Sequence, residues 1–96
     1  MDDGQASIST EILGRYAADA AREIAGVRDV PKRRGVKVRE SDGKIRVELH
    51  LAVDWGASIP EVGRGVQERV REYLQRMADV EAASVSVVVD EIGPRA

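Results

Sequence analysis

The sequence has no cysteine and no phenylalanine, and only one histidine and one tryptophan among its 96 residues. Without cysteine, the chain has no disulfide, no thiol nucleophile and no cysteine-ligated metal, which is compatible with a cytoplasmic location. A single histidine makes a zinc site improbable as well. Two tyrosines and one tryptophan also leave few aromatic rings for stacking nucleobases or sugars.

Long apolar runs and a strong net charge are also missing. No segment approaches the roughly 20 apolar residues of a membrane span, so we expect no direct membrane insertion. Residues 1–4 lack the basic region that opens a signal peptide. A formal net charge of −2 provides no overall attraction to nucleic acid. The length fits one domain over residues 1–96, with an ordered core from about 6 to 92.

What the sequence does contain is a clear alternation of aliphatic and charged residues. Such alternation over 36–39 and 45–53 predicts two strands, each with one apolar and one polar face. Asp42 and Gly43 between them favour a type I′ hairpin turn. The resulting register pairs Val38 with Val47, Val36 with Leu49 and Lys37 with Glu48.

A first helix is predicted to begin after Ser9, which can cap it, with Glu11 in the first turn near the positive end of the helix dipole. Gly26 is expected to end this helix. The apolar residues at helical spacing are Ile12, Leu13, Ala17, Ala20, Ala21 and Ile24.

A second helix is predicted to begin after Ser58, because Ser58 and Glu61 form a capping box. Gly63 and Gly65 weaken this helix, and close packing is one explanation for them. Its apolar stripe consists of Ile59, Val62, Val66, Val70, Tyr73, Leu74 and Met77.

A last strand over about 83–92 completes a β-α-β crossover, which makes it parallel to the 45–53 strand. The predicted fold class is therefore α+β, a two-layer sandwich in which both helices cover one face of a small mixed sheet. Residues 28–34 are expected to form a loop. The opposite face of the sheet should be open to water or to a partner; it carries Lys37, Arg39, Lys44, Arg46, Glu48, His50, Ser84 and Ser86.

No arrangement of reactive groups points to catalysis or to a cofactor. His50 has no nucleophile paired with it by spacing, so an exposed titrating side chain is favoured over a general base. A small-ligand or hydrolytic role around His50 and Trp55 is a weaker alternative. Trp55 ends the long strand, where it is expected to cover the core, with an interface anchor as the other possibility.

Several segments of this sequence resemble the alkaline-shock, cell-envelope stress-response family. The resemblance covers about residues 4–92, although 77–80 lacks the Thr-Gly that usually follows Met. The segments that carry it are 4–12 (GQASISTEI), 23–27 (EIAGV), 35–38 (GVKV), 53–62 (VDWGASIPEV), 66–70 (VQERV) and 85–87 (VSV).

This resemblance implies an abundant, non-enzymatic cytoplasmic protein of bacteria. It also implies self-association and recruitment beneath the membrane by a small membrane-anchored partner. The family has no established catalytic residues, so none is assigned, and no small-molecule substrate is expected. The residues expected to contact partners are Lys37, Arg39, Arg46, Glu48, His50 and Trp55.

Nucleic-acid binding is the alternative function. It would use the basic run Lys32 to Arg34 together with Lys37, Arg39 and Arg46, and its affinity would fall steeply with salt. The G-x-x-G loop of a K-homology RNA-binding domain is missing. Three basic residues in a loop are more often a solvated turn, so a protein partner is favoured.

Overall fold

The chain forms two helices and four strands, and the computed structural model describes residues 8–94. The elements in chain order are α1 (Thr10–Arg22), β1 (Val27–Asp29), β2 (Val36–Ser41), β3 (Lys44–Val53), α2 (Ile59–Ala78) and β4 (Ala82–Ile92). The predicted residues 6 and 7 lie outside the described part.

The β2–β3 hairpin has the predicted register. Val38 pairs with Val47, Val36 with Leu49, and Lys37 with Glu48. Asp42 and Gly43 have φ angles of 54° and 75°, and positive φ at both central residues defines a type I′ turn. Turn chemistry and apolar alternation therefore select the same pairing.

β3 is the central strand of a mixed sheet. β4 pairs with it in parallel along one edge, as the crossover through α2 requires. β1 and β2 both pair with β3 in antiparallel fashion. Because β4 occupies one edge of β3, β1 and β2 lie end to end along its other edge. The outer edges of the sheet are thus β4 on one side and β2 with β1 on the other.

The segment 28–34, expected to be a loop, begins with strand residues. Val27 pairs with Val53 and Asp29 with Ala52, with an irregularity between the two pairs. Val30 follows this strand and is only 1% exposed. Three residues are too few to show a period-two pattern, which is why the alternation in the sequence does not reveal β1.

Both helices begin where their caps predict. The Ser9 Oγ accepts a hydrogen bond from the Ile12 N–H, and the Ser58 Oγ accepts one from the Glu61 N–H at 3.4 Å. α1 ends at Arg22, before Gly26, and Gly26 has a φ of +96° in the turn that leads into β1.

The core lies between the helices and one face of the sheet. Val47, Leu49, Leu51 and Val53 of β3 are at most 1% exposed, so the predicted apolar face of this strand is buried. The predicted α2 stripe is buried only in its middle, because Ile59 and Met77 at its ends are 39% and 46% exposed. The remaining core residues are Leu13, Ala17, Ala18, Ala20, Ala21, Val30, Val62, Val66, Val70, Leu74, Ala82 and Val85.

Gly65 lies where the two helices meet. A Cβ added there would be 3.3 Å from the Ile24 Cγ2 atom, whereas one added at Gly63 would meet nothing within 4 Å. Close packing therefore explains Gly65 and leaves Gly63 without a structural reason. Elsewhere along the helix pair, Tyr16 of α1 lies edge-on to Tyr73 of α2, with ring centroids 5.9 Å apart.

Two side chains of α2 reach over the start of β4. The Gln67 Nε2 donates to the Val85 carbonyl at 3.0 Å, and the Arg71 Nη1 donates to the Ala82 carbonyl at 3.3 Å. These bonds attach the crossover helix to the backbone of an edge strand.

Candidate interaction surface

The face of the sheet opposite the helices, here called the open face, carries most of the predicted contact residues. Lys37 and Arg39 of β2 lie beside Glu48 and Arg46 of β3, respectively. His50 follows on the same side of β3, two residues after Glu48. The alternation of each strand places all five on one surface, because the residues between them point into the core.

His50 bridges β3 and β4 on the open face. Its Nε2 lies 2.8 Å from Glu48 Oε2, and its Nδ1 lies 2.7 Å from Asp90 Oδ2. The parallel register explains the second contact, since His50 pairs with Val88 and Asp90 lies two residues further along β4. The side chain is 27% exposed, so it is more enclosed than the exposed position that the sequence predicts.

Both carboxylates accept hydrogen bonds, so the two contacts form together only when both ring nitrogens of His50 carry protons. The hydrogen bond to Glu48 is the main cause that raises the pKa of His50, followed by the hydrogen bond to Asp90. The His50 hydrogen bond in turn lowers the pKa of Glu48, with smaller contributions from Lys37 and Arg39. The cluster therefore favours an imidazolium between two carboxylates.

The other end of the open face is basic. Arg39 lies directly opposite Arg46 across the hairpin, and like charges in that position repel. In residues 8–94, neither arginine nor Lys37 makes an ion pair within 4.0 Å. This half of the face is complementary to an anionic group.

Trp55 does not belong to the open face. It occupies the second position of a turn in which the Ala57 N–H donates to the Asp54 carbonyl at 3.1 Å. Gly56, third in the turn, has a φ of +88°, which is the type II geometry that favours glycine there. The turn directs Trp55 outward, and its exposed fraction of 55% contradicts the expectation that it covers the core.

An apolar cleft surrounds Trp55 at the end of the sheet where β3 and β4 finish. Ile59 and Ile92 line it together with Val53 and Ala57. Ile92 is 48% exposed, so three large apolar side chains meet water at one place. Clustered apolar exposure of this kind is typical of protein contact sites.

A second groove runs between α1 and the outer edge of β2. Its apolar lining consists of small or aliphatic residues, namely Gly14, Ala18, Val36 and Val38. Four basic and two acidic residues stand around it. The full lining is Thr10, Glu11, Gly14, Arg15, Ala18, Asp19, Arg22, Pro31, Lys32, Val36, Lys37 and Val38.

The sequence did not reveal this groove or the role of Asp90. Asp90 could be found by combining the parallel register with residue alternation, which together place it on the same face as His50. The groove depends on where α1 lies across the sheet, and no local pattern specifies that position.

Both ring nitrogens of His50 are engaged by carboxylates, which leaves neither in position to remove a proton from a bound molecule. Among residues 8–94, no group of three or more histidine, cysteine, aspartate or glutamate side chains is arranged to hold a metal ion. Neither of the described helices combines the length and apolarity needed to cross a membrane.

Residues 28–94 match a protein family that is described as having a cell envelope-related function. The chain is 28% identical to the uncharacterized protein YqhY of Bacillus subtilis, over 88% of this chain and 73% of that protein. It is 24% identical to the uncharacterized B. subtilis protein YloU, over 93% and 88%. An uncharacterized Streptococcus pyogenes protein, Spy1614, is 26% identical over 94% and 88%.

Solved structures of MamM-CTD have a similar fold. One histidine-to-alanine variant aligns with a TM-score of 0.63 at 19% identity, covering 90% of this chain and 100% of that one. A MamM CTD variant solved in a copper form aligns with a TM-score of 0.62, also at 19% identity and over the same shares of the two chains. At this level of identity the likeness concerns the fold alone.

Proposed function

Since this chain belongs to the alkaline shock protein 23 family, whose function is cell envelope-related, we propose that it is a non-enzymatic scaffold. It self-associates, and it docks on an envelope partner through the open face, the sheet edges or the Trp55 cleft. Its location is the cytoplasm, and a membrane-anchored partner brings it to the envelope. The observation that carries the proposal is that the helices cover only one side of the sheet.

The charges of the open face support a contact role. Arg39 and Arg46 repel each other across the hairpin. No carboxylate of residues 8–94 lies within 4.0 Å to offset this repulsion, so the arrangement does not stabilise a face that only meets water. A partner that brings carboxylates to this position removes the repulsion. The same argument makes association sensitive to salt, because exposed charges are screened within about 10 Å at 0.1 M.

Sedimentation velocity over a range of concentrations tests self-association. The mean mass is expected to rise with concentration and to fall as salt is added. Arg39→Glu combined with Arg46→Glu should reduce association. Arg64→Glu combined with Arg76→Glu makes the same change in net charge on α2, which packs on the opposite side of the sheet from the open face, and should leave association unchanged. A strictly monomeric protein that also captures no partner would contradict the scaffold function.

Capture from the native host tests the envelope role. A tagged chain is expected to recover a partner that fractionates with membranes, and part of the chain itself should sediment with that fraction. Recovery only from the soluble fraction, without any envelope protein, would argue against it.

Nucleic-acid binding is a second candidate, favoured by Arg39 and Arg46, which make no ion pair within residues 8–94. It predicts fluorescence anisotropy changes with RNA or DNA at low salt that disappear as salt rises. Glu48 and Asp90 on the same face oppose a phosphate backbone, so a protein partner is preferred.

A further inference from the structure

The outer edge of β2 has backbone groups without partners in the described chain. The His50 N–H donates to the Gly35 carbonyl at 2.7 Å, so Gly35 bonds towards β3. In an antiparallel pair this direction alternates along the strand. Lys37 and Arg39 therefore bond to β3 as well, whereas Val36 and Val38 direct their N–H and C=O groups away from the sheet. No hydrogen bond joins those groups to another part of residues 8–94.

The helix α1 covers the space beside this edge. α1 contacts β2 more than the central strand β3. A helix is about 10 Å across, whereas a strand occupies about 4.8 Å of a sheet, so α1 extends beyond β2. The groove beneath it has Gly14 and Ala18 on the helix side and Val36 and Val38 on the strand side. It has the form of a missing strand position with an apolar roof.

We infer that this groove binds an extended segment of a partner protein, which adds to the sheet as a strand next to β2. This inference rests on the proposed docking function and identifies the groove as the docking site. Addition of an extended peptide to a free sheet edge gives affinity through main-chain hydrogen bonds and specificity through alternate side chains.

The two sides of the groove define the sequence of the segment. Side chains that point towards α1 meet Gly14 and Ala18, which leave room for aliphatic groups. Side chains that point the other way lie on the open face beside Lys37 and Arg39. Around the groove, Arg15 is paired with Glu11 and Arg22 with Asp19, whereas Lys32 and Lys37 make no ion pair within 4.0 Å in residues 8–94. The segment therefore alternates aliphatic and acidic residues.

The test uses the whole chain and a short synthetic peptide that alternates valine and glutamate, followed by amide NMR and hydrogen exchange. Binding should slow exchange at the Val36 and Val38 amides and shift their resonances. The Lys37 and Arg39 amides, already bonded to β3, should retain their exchange rates. A peptide with lysine in place of glutamate, and one methylated on alternate backbone nitrogens, should bind more weakly.

Val38→Pro removes one outward N–H and leaves the bonds to β3 intact, because proline is tolerated on an edge strand in that position. It should lower peptide affinity about tenfold, the equivalent of one lost hydrogen bond. Lys37→Glu should also weaken binding, and Arg64→Glu on α2 should not. Thermal unfolding of each variant confirms that it remains folded.

The outcomes separate this inference from the proposed function. If the chain self-associates or captures an envelope partner but the peptide leaves the Val36 and Val38 amides unchanged, the groove assignment is wrong and docking occurs elsewhere. Binding that persists in Val38→Pro, or that protects amides of β4 instead, also overturns it. If neither association nor capture is seen, the scaffold function fails by itself.

Discussion

The protonation of His50 depends on Glu48, two residues before it, and on Asp90, which is distant in sequence. Its pKa is raised by the hydrogen bonds to Glu48 and Asp90. We predict that Asp90→Asn moves this pKa back towards the usual value of 6.5, because it removes one anionic acceptor. An NMR titration of the imidazole measures both values. An identical titration in the wild type and in Asp90→Asn would contradict the bridging arrangement.

The same cluster makes stability depend on pH. Because the folded pKa of His50 is raised, its stabilising contribution is complete below 6.5 and is lost as pH rises through the raised value. Because the folded pKa of Glu48 is lowered, its contribution is complete above 4.5 and is lost as pH falls through the lowered value. Urea unfolding across pH should therefore show the largest difference between wild type and His50→Gln from 4.5 to 6.5. A constant difference at every pH would contradict this assignment.

Asp79 ends α2 in the left-handed conformation, with a φ of 54°. Glycine adopts this conformation without the steric cost of a Cβ. We predict that Asp79→Gly raises the free energy of unfolding by up to about 1 kcal/mol, because a side chain costs about 1–2 kcal/mol in the left-handed conformation and the lost Gln75–Asp79 side-chain hydrogen bond offsets part of that gain. Thermal denaturation measures the change, Asp79→Ala is the control that should not stabilise, and a less stable glycine variant would contradict the argument.

At the scale of the elements, the two glycines of α2 should respond differently to alanine. Gly63→Ala adds a methyl group where nothing lies within 4 Å, so it should stabilise the chain by about 1 kcal/mol through helix propensity. Gly65→Ala makes the same local gain but brings its Cβ to 3.3 Å from Ile24, so the net gain should be smaller. Denaturant unfolding of both variants measures the difference. Equal gains would mean that Ile24 moves away from the added methyl group without cost.

The sequence predicts those elements whose local signals are strong and consistent. The β2–β3 register follows from Asp42, Gly43 and the alternation around them, and both helix starts follow from serine caps. β1 could not be predicted, because its three residues are ordered by pairing with the end of β3. The expectation that Trp55 covers the core is wrong for a related reason. The average burial of tryptophan does not apply where Gly56 sets a turn that directs the side chain outward.

At the scale of the whole molecule, binding and stability should be separable at Trp55. Trp55 is 55% exposed. Trp55→Ala should therefore lower the free energy of unfolding by less than the loss of about 3–5 kcal/mol that is typical of a buried tryptophan. We predict that it nevertheless reduces capture of the envelope partner, since clustered apolar side chains act as contact anchors. Met77→Ala, at a similarly exposed position on α2, is the matched control. A loss of stability as large as that of a buried tryptophan, with capture of the partner unchanged, would contradict this role.

The hydrogen bonds from Gln67 and Arg71 to β4 also bear on solubility. β4 is an edge strand, and residues 84–89 contain four valines and no charge, a composition that favours uncontrolled stacking of chains into fibrils. The α2 side chains that donate hydrogen bonds to carbonyls near the start of β4 obstruct such stacking at that end of the strand. Gln67→Ala should therefore leave the fold intact and shorten the lag before thioflavin-positive aggregates form on mild heating. An unchanged lag would contradict this protective role of the helix side chains.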